Sequence, residues 1–148
     1  MKATDSLLAD HKMVRKIMEG FTVENPRFSH ILKTLHRVLL GHAWFEDTIF
    51  LPVLKAEPRF VKCFVEEFGQ EHRDIDALLK LLRRTPVVKS REFEAYALQF
   101  RSLLHAHFEK EEDGLFPLAE KVLESKGLNR LGAEMKRRQA EVQNIAID

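Results

Sequence analysis

The sequence contains few of the features that stabilise secreted or membrane proteins. Cys63 is the single cysteine in 148 residues, so the chain has neither a disulfide framework nor a thiolate metal site. Its place in a Phe-rich helical stretch predicts a small buried side chain. No run of about 18 apolar residues occurs, and the N-terminus lacks the apolar segment of a signal peptide. We therefore expect a cytoplasmic protein without a membrane partner.

An excess of charge of one sign is also lacking. The sequence has 24 basic and 23 acidic residues, which gives a formal net charge of +1 at neutral pH. A protein that binds nucleic acid through its phosphates needs a basic surface, so nucleic acid is not an expected partner. The length fits a single domain with one hydrophobic core, residues 1–148.

Glycine and proline are scarce and strand-like alternation is nearly absent, so the pattern predicts an all-α fold. Long amphipathic segments joined by short loops indicate an up-down-up-down four-helix bundle. We place the bundle core at about residues 4–125, starting after the N-cap candidates Thr4 or Asp5. A further C-terminal helix, loosely docked on the surface, is expected at about residues 129–146. Pro52 and Pro117 interrupt helical patterns and predict a kink or a helix end.

Two segments share a pattern of histidine, glutamate and proline. HAWFEDTIFLP contains His42 and Glu46, and HFEKEEDGLFP contains His107 and Glu111. Residues four apart lie about 40° apart around a helix, so each segment presents an imidazole and a carboxylate on one face. Glu112 would point about 140° away from His107. Glu111 is therefore the better ligand, and replacing Glu112 is not expected to cost metal.

The repeat extends to a second histidine in each half of the chain. The triplet DHK around His11 corresponds to EHR around His72, and both histidines lie on apolar helical stripes. The chain is interpreted as two helical hairpins, in which four of the seven histidines point inward, one from each helix. The remaining histidines, assigned to the surface or to seams between helices, are His30, His36 and His105.

Four imidazoles and two carboxylates at a bundle centre predict a metal site. A buried carboxylate is unfavourable unless it is paired or bound to a metal, and no cationic side chain accompanies Glu46 and Glu111. Two ions, each with two imidazoles and both sharing the carboxylates, would satisfy the set. These ligand types favour iron, manganese or zinc over calcium. A metal-free polar core that shares protons is the alternative.

The assembled pattern resembles the hemerythrin-like, or HHE cation-binding, family over roughly residues 5–120. The resemblance implies a non-haem centre of two iron ions, bridged by an oxo or hydroxo group and by two carboxylates. The six expected ligands are His11, His42, Glu46, His72, His107 and Glu111. The first two histidines would bind one iron and the last two the other, while the glutamates would bridge the pair.

The sequence departs from the oxygen-carrying hemerythrins at Asp76, where they have a further histidine. Asp76 is expected to be a weak extra ligand or a partner of one, and open iron positions would remain. The resemblance implies a protein that binds O2, NO or a related ligand as carrier, store or sensor. The alternative is a redox enzyme that reduces peroxide or NO or repairs iron centres.

The partners that the resemblance implies are a small diatomic ligand or peroxide and, for redox turnover, a partner protein. A homodimer through the C-terminal helix is left open. Apolar residues beside the ligands are expected to form a dry pocket that favours a small neutral molecule. The residues expected to line it are Phe45, Phe68, Leu104 and Phe108.

Overall fold

The computed structural model describes residues 1–60, 62–85 and 90–145. Its helices are α1 (Ala3–Met18), α2 (Phe28–Phe45), α3 (Leu51–Ala56), α4 (Lys62–Arg84), α5 (Arg91–Lys110), α6 (Phe116–Arg137) and α7 (Gln139–Gln143). Two π-helical segments, π1 (Glu46–Phe50) and π2 (Glu111–Leu115), join α2 to α3 and α5 to α6. None of the described residues lies in a β-strand, which confirms the all-α class. The expected helix end at residue 146 lies outside the described residues.

The long helices surround a polar centre that lies between two hydrophobic clusters. Helix α1 packs against α2 and α6, α2 packs against α4, and α4 packs against α5. One cluster contains Phe50 and Leu7, and the other contains Phe100 and Val14. His11 lies on α1 between Leu7 and Val14, so the inward histidine is enclosed by apolar side chains on both sides along the bundle axis.

Both prolines lie just after a π-helical segment. Pro52 and Pro117 occupy the first turn of α3 and α6, and the N–H of Leu51 bonds to the carbonyl of Glu46, five residues back. A proline in a helix removes one donor and crowds a preceding carbonyl, and a wider π turn accommodates both effects. The chain therefore continues through each proline as a helix, where the sequence predicted a kink or an end.

The start of α1 and the environment of Cys63 differ from expectation. Helix α1 begins at Ala3, and the hydroxyl of Thr4 is buried and donates to Glu120 Oε1 at 3.0 Å instead of capping the helix. Cys63 is exposed, because it lies two residues before the buried Val65 and so on the outer face of α4. None of the described helices combines the length and apolar character that a bilayer crossing requires.

The C-terminal part of the chain packs more closely than its sparse apolar pattern predicted. Leu128 and Met135 of α6 are buried, and α6 makes extensive contact with α1. Gly132 permits this approach, because a Cβ at this position would overlap the carbonyl oxygen of Met1. The break between the bundle core and the C-terminal helix, expected at about residues 126–128, instead falls at Glu124, where the backbone is non-helical.

Glu124 has φ 58° and ψ 178°, a region that is almost restricted to glycine. We expect Glu124→Gly to raise the free energy of unfolding by about 1 kcal/mol, because glycine adopts this conformation without a steric penalty. Urea denaturation would measure this change in the free energy of unfolding. The matched control is Lys121→Gly in the regular, exposed part of α6, which should lower stability by about 1 kcal/mol. A destabilised Glu124→Gly variant would contradict the expectation.

Candidate metal centre

The structure brings all six predicted ligands together at the centre of the bundle. Helices α1, α2, α4 and α5 each contribute one histidine, and each π-helical segment contributes its first residue, a glutamate. These side chains are all buried. The residues are His11, His42, Glu46, His72, His107 and Glu111.

The first group of candidate ligand atoms comes from His11, His42 and Glu111. The Nε2 atoms of the two histidines are 3.3 Å apart. Glu111 Oε1 lies 3.0 Å from His11 Nε2 and 3.6 Å from His42 Nε2. Three potential metal ligands therefore face one another from three separate segments of the chain.

The second group comes from Glu46, His72, His107 and Glu111. Glu46 Oε1 lies 3.3 Å from His72 Nε2, and Glu111 Oε1 lies 3.4 Å from His107 Nε2. Glu111 thus belongs to both groups. Glu46 also reaches both, since the same Oε1 lies 2.7 Å from Nε2 of His42.

These separations suit ligands of a shared ion. Two atoms that each lie about 2.1 Å from one metal are about 3.0–3.4 Å apart at the usual coordination angles. The spacings of 3.0 Å and 3.3 Å around His11 are in this range, as are those of 3.3 Å and 3.4 Å at His72 and His107. The two groups adjoin through the glutamates, so the arrangement can hold a pair of neighbouring ions.

Several of these buried atoms have no hydrogen-bond partner within the described part of the chain. They are both carboxylate oxygens of Glu46, Oε2 of Glu111, and Nε2 of His72 and His107. A buried polar atom without a partner costs about 1–3 kcal/mol, and more when it is charged. Such a concentration of buried acceptor and nitrogen atoms at one point is typical of residues that bind a metal ion.

The opposite ring nitrogen of every inward histidine contacts a carboxylate. The Nδ1 atoms of His11, His42, His72 and His107 lie 2.6, 3.0, 2.8 and 2.7 Å from carboxylate oxygens. Because a carboxylate can only accept, each Nδ1 carries the hydrogen and each Nε2 is left to face the centre. The carboxylates, in the same order, belong to Glu112, Asp10, Asp47 and Glu71.

These four outer carboxylates follow the internal repeat. Asp10 and Glu71 each precede an inward histidine, whereas Asp47 and Glu112 each follow a bridging glutamate. Asp10 and Glu71 support a histidine of their own hairpin, and the other two support a histidine of the opposite hairpin. The acidic neighbour in each repeated segment was the sequence signal for them. The histidine that each of these carboxylates contacts could not be predicted, because spacing within one helix does not show contacts between helices.

The pKa values of the two glutamates shift in opposite directions when no metal ion is present. Burial and the nearby charge of Glu46 raise the pKa of Glu111 well above its usual value. Burial acts in the same direction on Glu46, but the neighbouring His42 holds the pKa of Glu46 well below its usual value. Burial and the charge of His42 lower the pKa of His11 to about 4. The raised pKa of Glu111 means that protons and metal ions would compete for its carboxylate.

Asp76 does not join either group of candidate ligands. Its Oδ1 lies 2.7 Å from Nε2 of His36, and its Oδ2 accepts from Lys80 at 2.8 Å. His36 is buried at a seam between helices, whereas His30 and His105 are exposed. The expectation that Asp76 would ligate the metal, or support a ligand, therefore gives way to a pairing with a non-ligand histidine.

A small cavity adjoins the candidate metal centre. About 20 Å³ of it is open to the centre of a water-sized molecule, which is enough for one such molecule. Of the four apolar residues expected around the ligand, Phe108 lines the cavity, and its ring stacks on His11 at 3.7 Å. Phe68 is buried and meets the ring of His107 edge-on at 6.1 Å, but it does not line the cavity. Leu104 and Phe45 pack in the two hydrophobic clusters. The remaining lining residues are His36, Leu39, Leu40, His42, Ala43, His72, Ile75, Asp76, Leu79 and His107.

The fold and the site together define an all-α domain with a buried histidine and carboxylate cluster that can hold metal ions. The model of the Hemerythrin HHE cation binding domain matches this sequence over residues 2–119 and again over residues 63–146. The chain therefore belongs to the hemerythrin HHE cation-binding domain family. The second match begins near the second hairpin, in agreement with an internal repeat.

A solved structure has the same fold. It is the crystal structure of a hemerythrin HHE cation binding domain-containing protein from Mycobacterium kansasii, with 23% sequence identity and a TM-score of 0.80. The alignment covers 96% of this chain and 87% of the other. The search of curated proteins found no significant match. At this identity the likeness establishes the shared fold, and the ligand roles of individual residues stay predictions.

Replacing a bridging carboxylate should cost metal. We expect Glu111→Gln to lose at least one ion per chain, because its carboxylate belongs to both ligand groups. Elemental analysis after metal loading and dialysis would measure the loss. Glu109→Gln is the matched control, since Glu109 is exposed and pairs with the exposed His105. Equal loss in both variants would contradict the assignment.

The outer carboxylates should matter as well, which revises the expectation for Glu112. We expect Glu112→Ala to weaken metal binding about 10–100-fold, because Nδ1 of His11 would lose the acceptor that orients its ring. Competition with a chelator would measure the affinity. Asp113→Ala removes the neighbouring, exposed carboxylate and should leave the affinity unchanged. An unchanged affinity in Glu112→Ala would restore the sequence-based expectation.

Proposed function

We propose that this domain holds two iron ions and binds O2, NO or a related small ligand beside them, as carrier, store or sensor. The observation that carries the proposal is the convergence of buried candidate ligand atoms that have no hydrogen-bond partner among the described residues. His11 and His42 would hold one ion and His72 and His107 the other. Glu46 and Glu111 would bridge them.

The choice of iron rests on the ligand types and on the family. Imidazole and carboxylate together suit iron, manganese and zinc, whereas calcium prefers oxygen ligands alone. Paired glutamates on facing helices are a common way to hold two such metals in a bundle. When bound, an iron pair supplies reversible redox chemistry and open positions for a small ligand. Manganese and zinc are the alternatives that metal analysis would reveal.

In this function, the residues around the cavity would enclose the bound ligand. The cavity beside His42, His72 and His107 is lined mainly by apolar side chains, and Phe108 covers the ring of His11. A space of about 20 Å³ admits a diatomic molecule but not a large substrate. Exclusion of bulk water around the histidines also strengthens their contacts with the outer carboxylates.

The second candidate is a redox enzyme that reduces peroxide or NO, or repairs iron centres. The observation that favours it is the hydrogen-bonded pair of Asp76 and His36 on the wall of the same cavity. A carrier of a neutral diatomic molecule has no need of such a group, whereas reduction consumes protons. Turnover would also need a redox partner protein to deliver electrons. That partner, and a homodimer, stay predictions.

Spectroscopy of the iron-loaded protein tests the proposal. We expect about two irons per chain, near-ultraviolet absorption after oxidation, and a stable spectral change when NO or O2 is added to the reduced form. A catalyst would instead return to its starting spectrum as the ligand is consumed. His107→Ala should lose the absorption, whereas His105→Ala, on the exposed face of α5, should keep it. A folded wild-type protein that binds no metal would refute the proposal.

A further inference from the structure

The cavity beside the candidate metal centre has two chemically different ends. Three of the candidate ligand histidines line it, and they are His42, His72 and His107. His36 and Asp76 also line it, and they lie about one to two helical turns from His42 and His72 along α2 and α4, which places them at the other end. The walls between them are aliphatic or aromatic. With only about 20 Å³ available, one small molecule there would be close to both ends at once.

The hydrogen bonds around His36 fix the positions of its protons. Arg83 Nη1 lies 3.0 Å from His36 Nδ1, and a guanidinium can only donate. Nδ1 of His36 is therefore an acceptor, and its Nε2 carries the hydrogen that is donated to Asp76 Oδ1 at 2.7 Å. Asp76 Oδ2 accepts a second bond from Lys80 Nζ at 2.8 Å.

Asp76 is consequently held as a carboxylate that has spare acceptor capacity. Burial opposes ionisation, but the hydrogen bonds from Lys80 and His36 outweigh it and lower the pKa of Asp76. A carboxylate has about four lone-pair sites, and these two partners occupy two of them. The remaining sites can accept a hydrogen from a molecule in the cavity. The side chains of His36 and Asp76 are 2% and 26% exposed, so Asp76 is the one that also reaches solvent.

Asp76 stands where the cavity meets the protein surface. A surface depression on the solvent side of α2 and α4 is lined by Trp44, Thr48 and Arg73 among others, and it shares four residues with the cavity. The shared residues are Leu40, Ala43, His72 and Asp76. The cavity and the depression therefore adjoin along these four residues, and Asp76 is the carboxylate among them.

We propose that Asp76, positioned by His36, is a specificity-determining residue at the mouth of the ligand cavity. It accepts a hydrogen bond from ligands that carry a hydrogen, such as hydrogen peroxide, and its negative charge disfavours anions. The inference rests on the proposed function, because it requires that ligands reach the metal centre through this cavity. It adds to that function a preference among ligands.

Two ligands, azide and hydrogen peroxide, test the role of Asp76 on iron-loaded protein, because its replacement should affect them in opposite directions. Azide, an anion, would be titrated and followed by its visible absorption, and the rate of reaction with hydrogen peroxide would be measured by stopped flow. We expect Asp76→Asn to bind azide at least about tenfold more tightly, because a nearby like charge is removed. Reaction with peroxide should slow by about tenfold, because the ionic acceptor is lost. Iron content should stay at the wild-type value.

Asp74→Asn is the matched control, because it removes a charge from the exposed face of the same helix and should change neither quantity. If Asp76→Asn loses iron, Asp76→Ser is the second variant. It should also bind azide more tightly and react more slowly with peroxide. If azide affinity and the peroxide rate both rise, both fall or both stay unchanged, the proposed role of Asp76 is wrong. The assignment of the metal centre would not be affected by that result. If wild-type protein responds to neither probe, the proposed function fails and this inference fails with it.

Discussion

The burial of two carboxylates whose neighbouring partners in the described part of the chain are histidines is the constraint on which the bundle centre depends. Glu46 and Glu111 are fully buried, and ionised carboxylates at that depth are costly unless they are compensated. The facing histidines can compensate only by taking up protons at Nε2, since Nδ1 already bonds to an outer carboxylate. Metal ions bound at this centre would compensate the glutamates and leave the histidines neutral. The outer carboxylates then hold each ring in the orientation that a metal requires.

The internal repeat makes this arrangement depend on both hairpins. Asp47 of the first hairpin orients His72 of the second, and Glu112 of the second orients His11 of the first. Neither hairpin alone contains all the contacts that its own histidines need. Binding of metal and docking of the two hairpins are therefore coupled, as is usual where a site is assembled from separate segments. The hydrophobic clusters at either end of the centre keep it dry.

The difference between this site and an oxygen carrier lies beside the metal ligands. Asp76 stands where the oxygen-carrying hemerythrins have a histidine, yet it turns to His36 and Lys80 instead of joining the centre. That pairing leaves a small cavity with an ionic group in its wall. A cavity of this kind restricts the size of a ligand through its apolar side chains. In our proposal, the carboxylate of Asp76 selects the chemistry of the ligand.

The sequence by itself determined the helices, the two-hairpin repeat and the six inward residues, because helical periodicity fixes which side chains share a face. It also separated Glu111 from Glu112 as the inward carboxylate. Contacts between helices are not encoded in that periodicity. Only the tertiary structure decided that Glu112 supports His11 and that Asp76 pairs with His36. It also showed that Gly132 lets α6 lie against the N-terminus, because such pairings depend on how distant segments approach one another.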